Sequence, residues 1–313
     1  MPKRVNRAEK YRFTLIFRYK WVINSDCVDM EEYVNSLGRQ IEANLVEGFK
    51  PEGNRLNQAC YYALTVQGKR LRPLLFLTLL AAFDRNPRRH LDIAAAIEYI
   101  HTYSLIHDDL PAMDNDDVRR GNPTVHVKFD EPIALLAGDT LLTMAFERIA
   151  RSGLPAAVVV KILRILTESI GIDGMACGQA LDIDFDGDPD KILEIQQKKT
   201  AFLISGCLLC AGEIAGLSPV RMGKLQEAGM SIGVAFQMAD DLLDVEGDEE
   251  EVGKRLNKDG DNRSPNSVLY LGRDHVVGEI DRYYRRTLKL LGEIGVSFAP
   301  FLHLIEKMAY RSR

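Results

Sequence analysis

Residues 97–129 read IEYIHTYSLIHDDLPAMDNDDVRRGNPTVHVKF. Ile97, Ile100, Tyr103, Ser104 and His107 fall at steps of three and four, so the stretch begins as a helix. It then places five aspartates in ten residues, Asp108, Asp109, Asp114, Asp116 and Asp117, with Arg119 and Arg120 directly after them. An apolar helix that ends in so much like charge carries a conflict. The carboxylates repel one another and, if buried, lose solvation. A bound divalent cation resolves it. A cluster of hard oxygens suits magnesium, which often shares its ligands with a substrate phosphate. The arginine pair suits phosphate, because the guanidinium fork matches its oxygens.

A solvated acidic turn is the plainer explanation of five aspartates, and a second cluster argues against it. Asp240, Asp241 and Asp244 lie in FQMADDLLDVEGD, again at the end of an apolar helical run. Asp240 and Asp244 are four apart and share one helix face. Two acidic helix ends with separate basic sites read as one magnesium-diphosphate site built from two sides. DDLPAMD followed by RRG, with DDLLD downstream, resembles the trans-isoprenyl diphosphate synthases. The form with four residues between Asp109 and Asp114 is similar to bacterial farnesyl diphosphate synthases and plant-type geranylgeranyl synthases. The resemblance runs from about Glu31 to the C-terminus. It implies an all-α bundle around a deep cavity, a homodimer, and three Mg2+ ions held by Asp108, Asp114 and Asp240 with help from Asp109 and Asp244.

The composition agrees with a soluble enzyme. The chain has 313 residues, 46% hydrophobic and 27% charged, enough for one large core. No apolar run reaches the ~18–20 residues needed to span a bilayer. Five scattered cysteines and no secretory signal indicate reduced thiols in a cytoplasmic setting. A net charge of −5 argues against nucleic acid as the main partner. An anionic substrate must then be drawn in by local cations and metal, not by the overall field.

Residues 1–29 stand apart, with seven Lys or Arg against three acids, a net of +4. Phe13 to Phe17 is too short for a signal core and is ended by Arg18. The segment reads as a basic arm for a membrane or partner, an organelle-targeting peptide, or sequence upstream of the true start. The third is favoured, because Met30 directly precedes EEYVNSLGRQIEANL, where the resembling family's first helix would begin. Residues 1–29 are therefore expected to be disordered and dispensable, and residues 30–313 to form one all-α domain. Gly and Pro punctuate that domain at residues 51–53, 86–87, 121–123, 153–155, 187–189 and 217–219, giving ten to twelve helices.

Several motifs lie between. Gly68-Lys69-Arg70-Leu71-Arg72-Pro73 puts three cations at the start of an apolar helix, where they oppose its dipole. An anion shared with the free N–H groups explains them better than a solvated turn does. The resemblance makes this the diphosphate site of isopentenyl diphosphate, formed by Gly68, Lys69, Arg72, His101 and Arg120. Lys198-Lys199-Thr200 resembles the family's KT motif; by that match Lys199 reaches the allylic diphosphate and the Thr200 oxygen lies near the developing cation. Gln237, one turn before Asp240, offers a neutral carbonyl to that cation, and Arg119 and Lys254 complete the allylic clamp. Asp182-Ile183-Asp184-Phe185-Asp186-Gly187 fits the start of a calcium loop, but position twelve is Leu193, so a helix running into a turn is the better reading. Cys207-Leu208-Leu209-Cys210 sits inside an apolar run and reads as buried thiols. Gly138-Asp139, inside the helix from Pro132 to Ala150, reads as close packing, and Glu147 and Arg148 as surface.

The family's usual Lys-x-Thr-Tyr-Pro stretch is absent. Asp261 to Ser267 stands there, which puts loop closure in question. Tyr103 and Ser104 stand five and four residues before Asp108, where the family sets product length. A bulky Tyr103 argues for a floor that stops growth at fifteen carbons, not twenty. No Ser/His/Asp or Cys/His set is present to supply a side-chain base. The expected reaction is condensation of isopentenyl diphosphate with an allylic diphosphate to farnesyl diphosphate. The rivals are a geranylgeranyl synthase, a non-catalytic subunit of a two-chain enzyme, and a magnesium-dependent cyclase. The second would lack one acidic motif, and the third would not need GKRLRP.

Overall fold

A computed structural model describes residues 30–246 and 265–310. The expected segment 1–29, Lys254 and the stretch Asp261–Ser264 lie outside the described residues. The helices are α1 (Met30–Leu45), α2 (Arg55–Thr65), α3 (Leu71–Ala82), α4 (Leu91–Asp108), α5 (Val125–Lys128), α6 (Glu131–Ala150) and α7 (Ala156–Ile170). They continue as α8 (Met175–Ile183), α9 (Pro189–Gln196), α10 (Phe202–Ala215), α11 (Pro219–Glu246), α12 (Ser267–Leu271), α13 (Arg273–Glu293) and α14 (Ala299–Ala309). A short 3-10 turn, Pro87–His90, leads into α4. The all-α expectation holds, but the described residues form fourteen helices, not ten to twelve, because short ones such as Val125–Lys128 and Ser267–Leu271 show no period of their own, and there is one addition. Val118–Arg119 (β1) and Asn122–Pro123 (β2) form a small antiparallel ribbon, too short to show a period in the sequence.

Every Gly/Pro break named above falls at an element boundary: 51–53 and 153–155 lie between helices, Pro87, Pro189 and Pro219 open the element that follows, and 121–123 forms the turn and second strand of the ribbon. The breaks are capped by local chemistry. Asn54 accepts from Asn57 N, Asp130 from Ile133 N, Asp188 from Asp190 N, and Asn266 from Val268 N and Leu269 N. Pro189 takes the first position of α9, where its missing N–H costs nothing. The calcium-loop look-alike is thus a capped turn, with Asp186 paired to Lys191 and Leu193 inside α9.

Residues 93–100 of α4 and 73–80 of α3 are buried without a break. A helix that is apolar all round belongs in the middle of a bundle. Helix α4 packs on α1, α3 and α6, while α10 packs on α3, α7 and α11. Outside these, α13 covers α11 with Val276, Ile280, Thr287, Leu290 and Leu291 turned inward. The core is one continuous cluster that includes the fully buried Tyr99, Phe76 and Phe301. Cys207 and Cys210 belong to it, and burial pushes the Cys207 thiol up to about 12.

Gly138 is a contact glycine, because a Cβ there would lie 2.1 Å from His107 Nε2. Arg148 corrects the sequence reading. Its side chain is only 13% exposed and donates to Asp92, to the carbonyls of Asn44 and Glu47, and to the Tyr99 hydroxyl. It ties the end of α1 to α4 and α6. Glu147 stays at the surface with Arg151. Arg148→Met should lower unfolding free energy by about 2 kcal/mol, measured by urea denaturation, whereas Arg151→Met should change it little.

Candidate active site

The first acidic motif is held by its own backbone. Helix α4 ends at Asp108, and the chain turns back so that Asp114 N donates to Asp108 O at 2.8 Å and Asp116 N to Asp109 O at 3.2 Å. Asn115 takes a left-handed φ of 51° to close that turn. The carboxyls thereby gather at the helix end. Asp109 is buried and accepts from Arg119 Nε at 2.7 Å and Nη2 at 2.6 Å. The Asp108 carboxyl is pushed up to about 7, chiefly by loss of water; Asp114 and Asp109 add to the rise, and Lys199 and Arg119 oppose it.

The β1–β2 ribbon carries the two arginines. Its register pairs Val118 with Pro123 and Arg119 with Asn122, leaving Arg120 and Gly121 as a two-residue turn with φ of 53° and 73°. Positive φ at both central residues defines the tight hairpin turn. Arg119 is directed at Asp109 and feels Asp108 and Asp114, which raise its affinity for the proton. Arg120 goes the other way, across Gly68, where a Cβ would lie 2.2 Å from its Nη1. Loss of water and the charges of Arg70, Arg119 and Arg72 lower its pKa, and Glu98 opposes the shift. Two adjacent arginines thus serve opposite faces.

The face that receives Arg120 is basic. Arg72 Nη1 lies 3.2 Å from His101 Nε2. A guanidinium can only donate, so Nε2 accepts and the neutral imidazole carries its proton on Nδ1. Burial, then Arg72, Arg120, Arg119 and Arg70, hold His101 well below its ordinary pKa. Lys69 is exposed at the rim, and Arg70 turns inward. Of the sequence-predicted set, Gly68, Arg72, His101 and Arg120 are therefore brought together, and Lys69 is exposed on the loop that carries Gly68.

The third wall starts with a feature the sequence hides. Residues 197–201 form a π-helical turn, a widening that recurs at functional sites. Lys199, on this turn, pairs with Asp182 of α8, and Asp182, Asp108 and Asp114 raise its pKa against the effect of burial. Gly178 makes the contact possible, since a Cβ there would lie 2.1 Å from Lys199 N. Thr200 Oγ1 donates to Gln237 Oε1 at 2.8 Å, and Gln237 Nε2 donates to Asp241 Oδ1 at 3.0 Å. A carboxylate accepts only, so Asp241 fixes the Gln237 amide with its oxygen beside Thr200.

Asp241 also accepts from Gln196 Nε2 at 2.8 Å, Ser267 N at 2.9 Å and Ser267 Oγ at 2.6 Å, while its carbonyl accepts from Asn266 Nδ2. Sequence reasoning gave Asp241, Asn266 and Ser267 no role of their own and passed over Gln196. A signal existed, because Asp240 and Asp244 share one face of α11 and Asp241 is turned about 100° away. Of the stretch that departs from the family pattern, Asn266 and Ser267 are locked onto Asp241. Asp244 is buried and Asp240 half-buried at the same helix end. Tyr103 is half-buried, edge-on to His107 at 5.8 Å, and Ser104 Oγ donates to His101 O. Among the described residues, no three His, Cys, Asp or Glu side chains form a closed metal cage.

The all-α bundle and its paired acidic and basic faces define a prenyl-transferring enzyme of the isoprenoid synthase fold. A geranyltransferase of Helicobacter pylori, solved with magnesium and isoprenyl diphosphate, superposes with a TM-score of 0.78 at 32% identity over 91% of this chain and 98% of that one. A farnesyl diphosphate synthase of Micrococcus luteus is 41% identical over 74% of this chain and 81% of that protein. A chloroplastic geranylgeranyl pyrophosphate synthase of Catharanthus roseus is 35% identical over 92% and 83%. Residues 53–275 match the Polyprenyl synthetase family, and the chain belongs to it.

Asp108 gives a pH test. Its folded-state pKa, about 7, lies above the ordinary 3.8, so its contribution to stability is full below 3.8 and is lost as pH rises through 7. Metal-free Asp108→Asn should therefore be more stable than the parent by roughly 4 kcal/mol near about pH 8 and nearly equal to it near about pH 4. Thermal unfolding at the two pH values measures this. An equal difference at both would refute the assignment.

Proposed function

We propose that this chain is a magnesium-dependent farnesyl diphosphate synthase, which condenses isopentenyl diphosphate with dimethylallyl and then geranyl diphosphate. The observation that carries the reading is the division of Arg119 and Arg120 between two faces of one cavity. One face is acidic and suited to a diphosphate bound through metal; the other is basic and suited to a diphosphate bound directly. Two such sites side by side serve two diphosphate substrates.

Magnesium fits the acidic face. It needs only one or two carboxylates when substrate phosphates supply the rest, and a closed protein cage is not its habit. Asp108 and Asp114 from the first motif, with Asp240 and Asp244 from the second, would hold it, Asp109 assisting through its bond to Arg119. Bound there, the metal neutralises the charge that develops on the departing diphosphate. Lys199 and Arg119 add fixed positive charge at the same face, and Lys254 would join them. The Gln237 and Thr200 oxygens face the allylic carbon and stabilise positive charge without competing as nucleophiles. Lys69, Arg72, His101 and Arg120 hold isopentenyl diphosphate so that its double bond is positioned to attack. The product then loses a proton without any side-chain base.

Tyr103 supports the fifteen-carbon product. It is a bulky, half-buried side chain five residues before Asp108 on α4, packed edge-on to His107. Both acidic motifs and the basic loop are present, which disfavours a non-catalytic subunit. No described helix is long and apolar enough to cross a membrane, and a cytoplasmic enzyme is the setting that fits. A homodimer belongs to the same reading, with the exposed Leu135 and Leu136 of α6 available to a second copy.

The test is incubation with Mg2+, labelled isopentenyl diphosphate and dimethylallyl diphosphate, followed by chromatography of the products. Farnesyl diphosphate is the expected result, and Tyr103→Ala should shift the main product to twenty carbons or longer. A parent protein that makes geranylgeranyl diphosphate would keep the reaction and remove the Tyr103 floor. No product from any allylic primer would overturn the proposal. Lys199→Ala should lower kcat by about a hundredfold.

A further inference from the structure

Glu98 lies in the middle of the unbroken buried stretch of α4, 1% exposed, one turn before His101. A carboxylate in such a place must be paired. Its partner is Arg70, whose Nη1 donates to Glu98 Oε1 at 3.0 Å, with both side chains shielded from water. Arg70 is itself a junction. Its Nη2 donates to Leu64 O at 2.6 Å and Val66 O at 3.0 Å, where α2 ends, and its backbone takes a left-handed φ of 45° at the start of α3. The loop between these anchors is Val66 to Arg70, which carries Gly68 and Lys69. Glu98 thus reaches the basic pocket twice, through Arg70 to the loop and through its charge to Arg120. Its second oxygen, Oε2, is buried with no hydrogen-bond partner among the described residues.

Ion pairs of this kind are poor sources of stability, because desolvation offsets most of the attraction. A pocket that must hold Arg70, Arg72 and Arg120 together before any anion arrives has a different need. The cations repel, and a fixed negative charge beneath them lowers that repulsion. We propose that Glu98, acting through Arg70, is a positioning residue for the basic pocket: it fixes the Gly68–Lys69 loop and holds the cations in place ahead of the diphosphate. The inference rests on reading that pocket as the isopentenyl diphosphate site. Glu98 touches no substrate, and its effect is selective for one of the two.

Steady-state kinetics of Glu98→Gln, an isosteric change, tests this with each substrate varied in turn. KM for isopentenyl diphosphate should rise by at least about tenfold, while KM for the allylic substrate and kcat stay within about threefold. Glu98→Asp, which keeps the charge on a shorter arm, should restore part of the lost affinity and stands in if the glutamine variant does not fold. In the Glu98→Gln/Arg70→Gln double variant the two losses should be strongly non-additive. An unchanged KM for isopentenyl diphosphate, or equal losses for both substrates, would overturn the role of Glu98 while leaving the enzyme intact. A parent protein that cannot use isopentenyl diphosphate at all would overturn the function reading, and this one with it.

Discussion

The carboxyls of Asp108 and Asp109 sit at a helix end largely withdrawn from water, with the exposed Asp114 close enough to add its charge, and their mutual repulsion sets the terms for the residues around them. The backbone bonds from Asp114 and Asp116 back to α4 force the gathering. Arg119 and Lys199 then approach from two other elements to offset it. Loss of water, with the charges of Asp114 and Asp109, outweighs those two cations and holds the Asp108 carboxyl up at about 7. An environment that makes the free protein uncomfortable is one that rewards a metal-bound diphosphate.

Opposite it, the basic pocket has the reverse difficulty, and the chain meets both with the same device. Asp241 and Glu98 are buried carboxylates that face neither cluster as ligands. Asp241 is a hub that collects Gln196, Gln237 and Ser267, and Glu98 holds Arg70, which in turn grips the end of α2. By accepting only, a carboxylate dictates which way an amide or guanidinium must point. The orientation of Gln237 beside Thr200 comes from that rule. So does the path of the loop that carries Lys69.

Much of this was legible in the chain. The helix ends that bear aspartate, the cations at the start of α3, and the breaks at Gly and Pro all lie where their chemistry requires, because charge and backbone restriction act locally. What stayed hidden depends on contacts between distant segments. Asp241 reads as one more acid in DDLLD; its angle on α11 sets it apart from Asp240 and Asp244, but its partners Ser267 and Gln196 come from distant segments. Arg148 has the look of an exposed helix cation, since nothing near it in sequence announces Asp92 or Tyr99. The π turn at residues 197–201 arises where Gly178 and Gly233 let neighbouring helices press on the backbone, and local propensity carries no trace of it.

The hairpin between Val118 and Pro123 has a consequence for how such a chain can diverge. Arg119 is fixed by its pairing with Asn122, and Arg120 is itself the first of only two turn residues, both at positive φ. An inserted or deleted residue would change the turn type and with it the direction of Arg120. Surface connections elsewhere in the bundle can lengthen or shrink over evolutionary time, but this one tolerates substitution far better than any change of length.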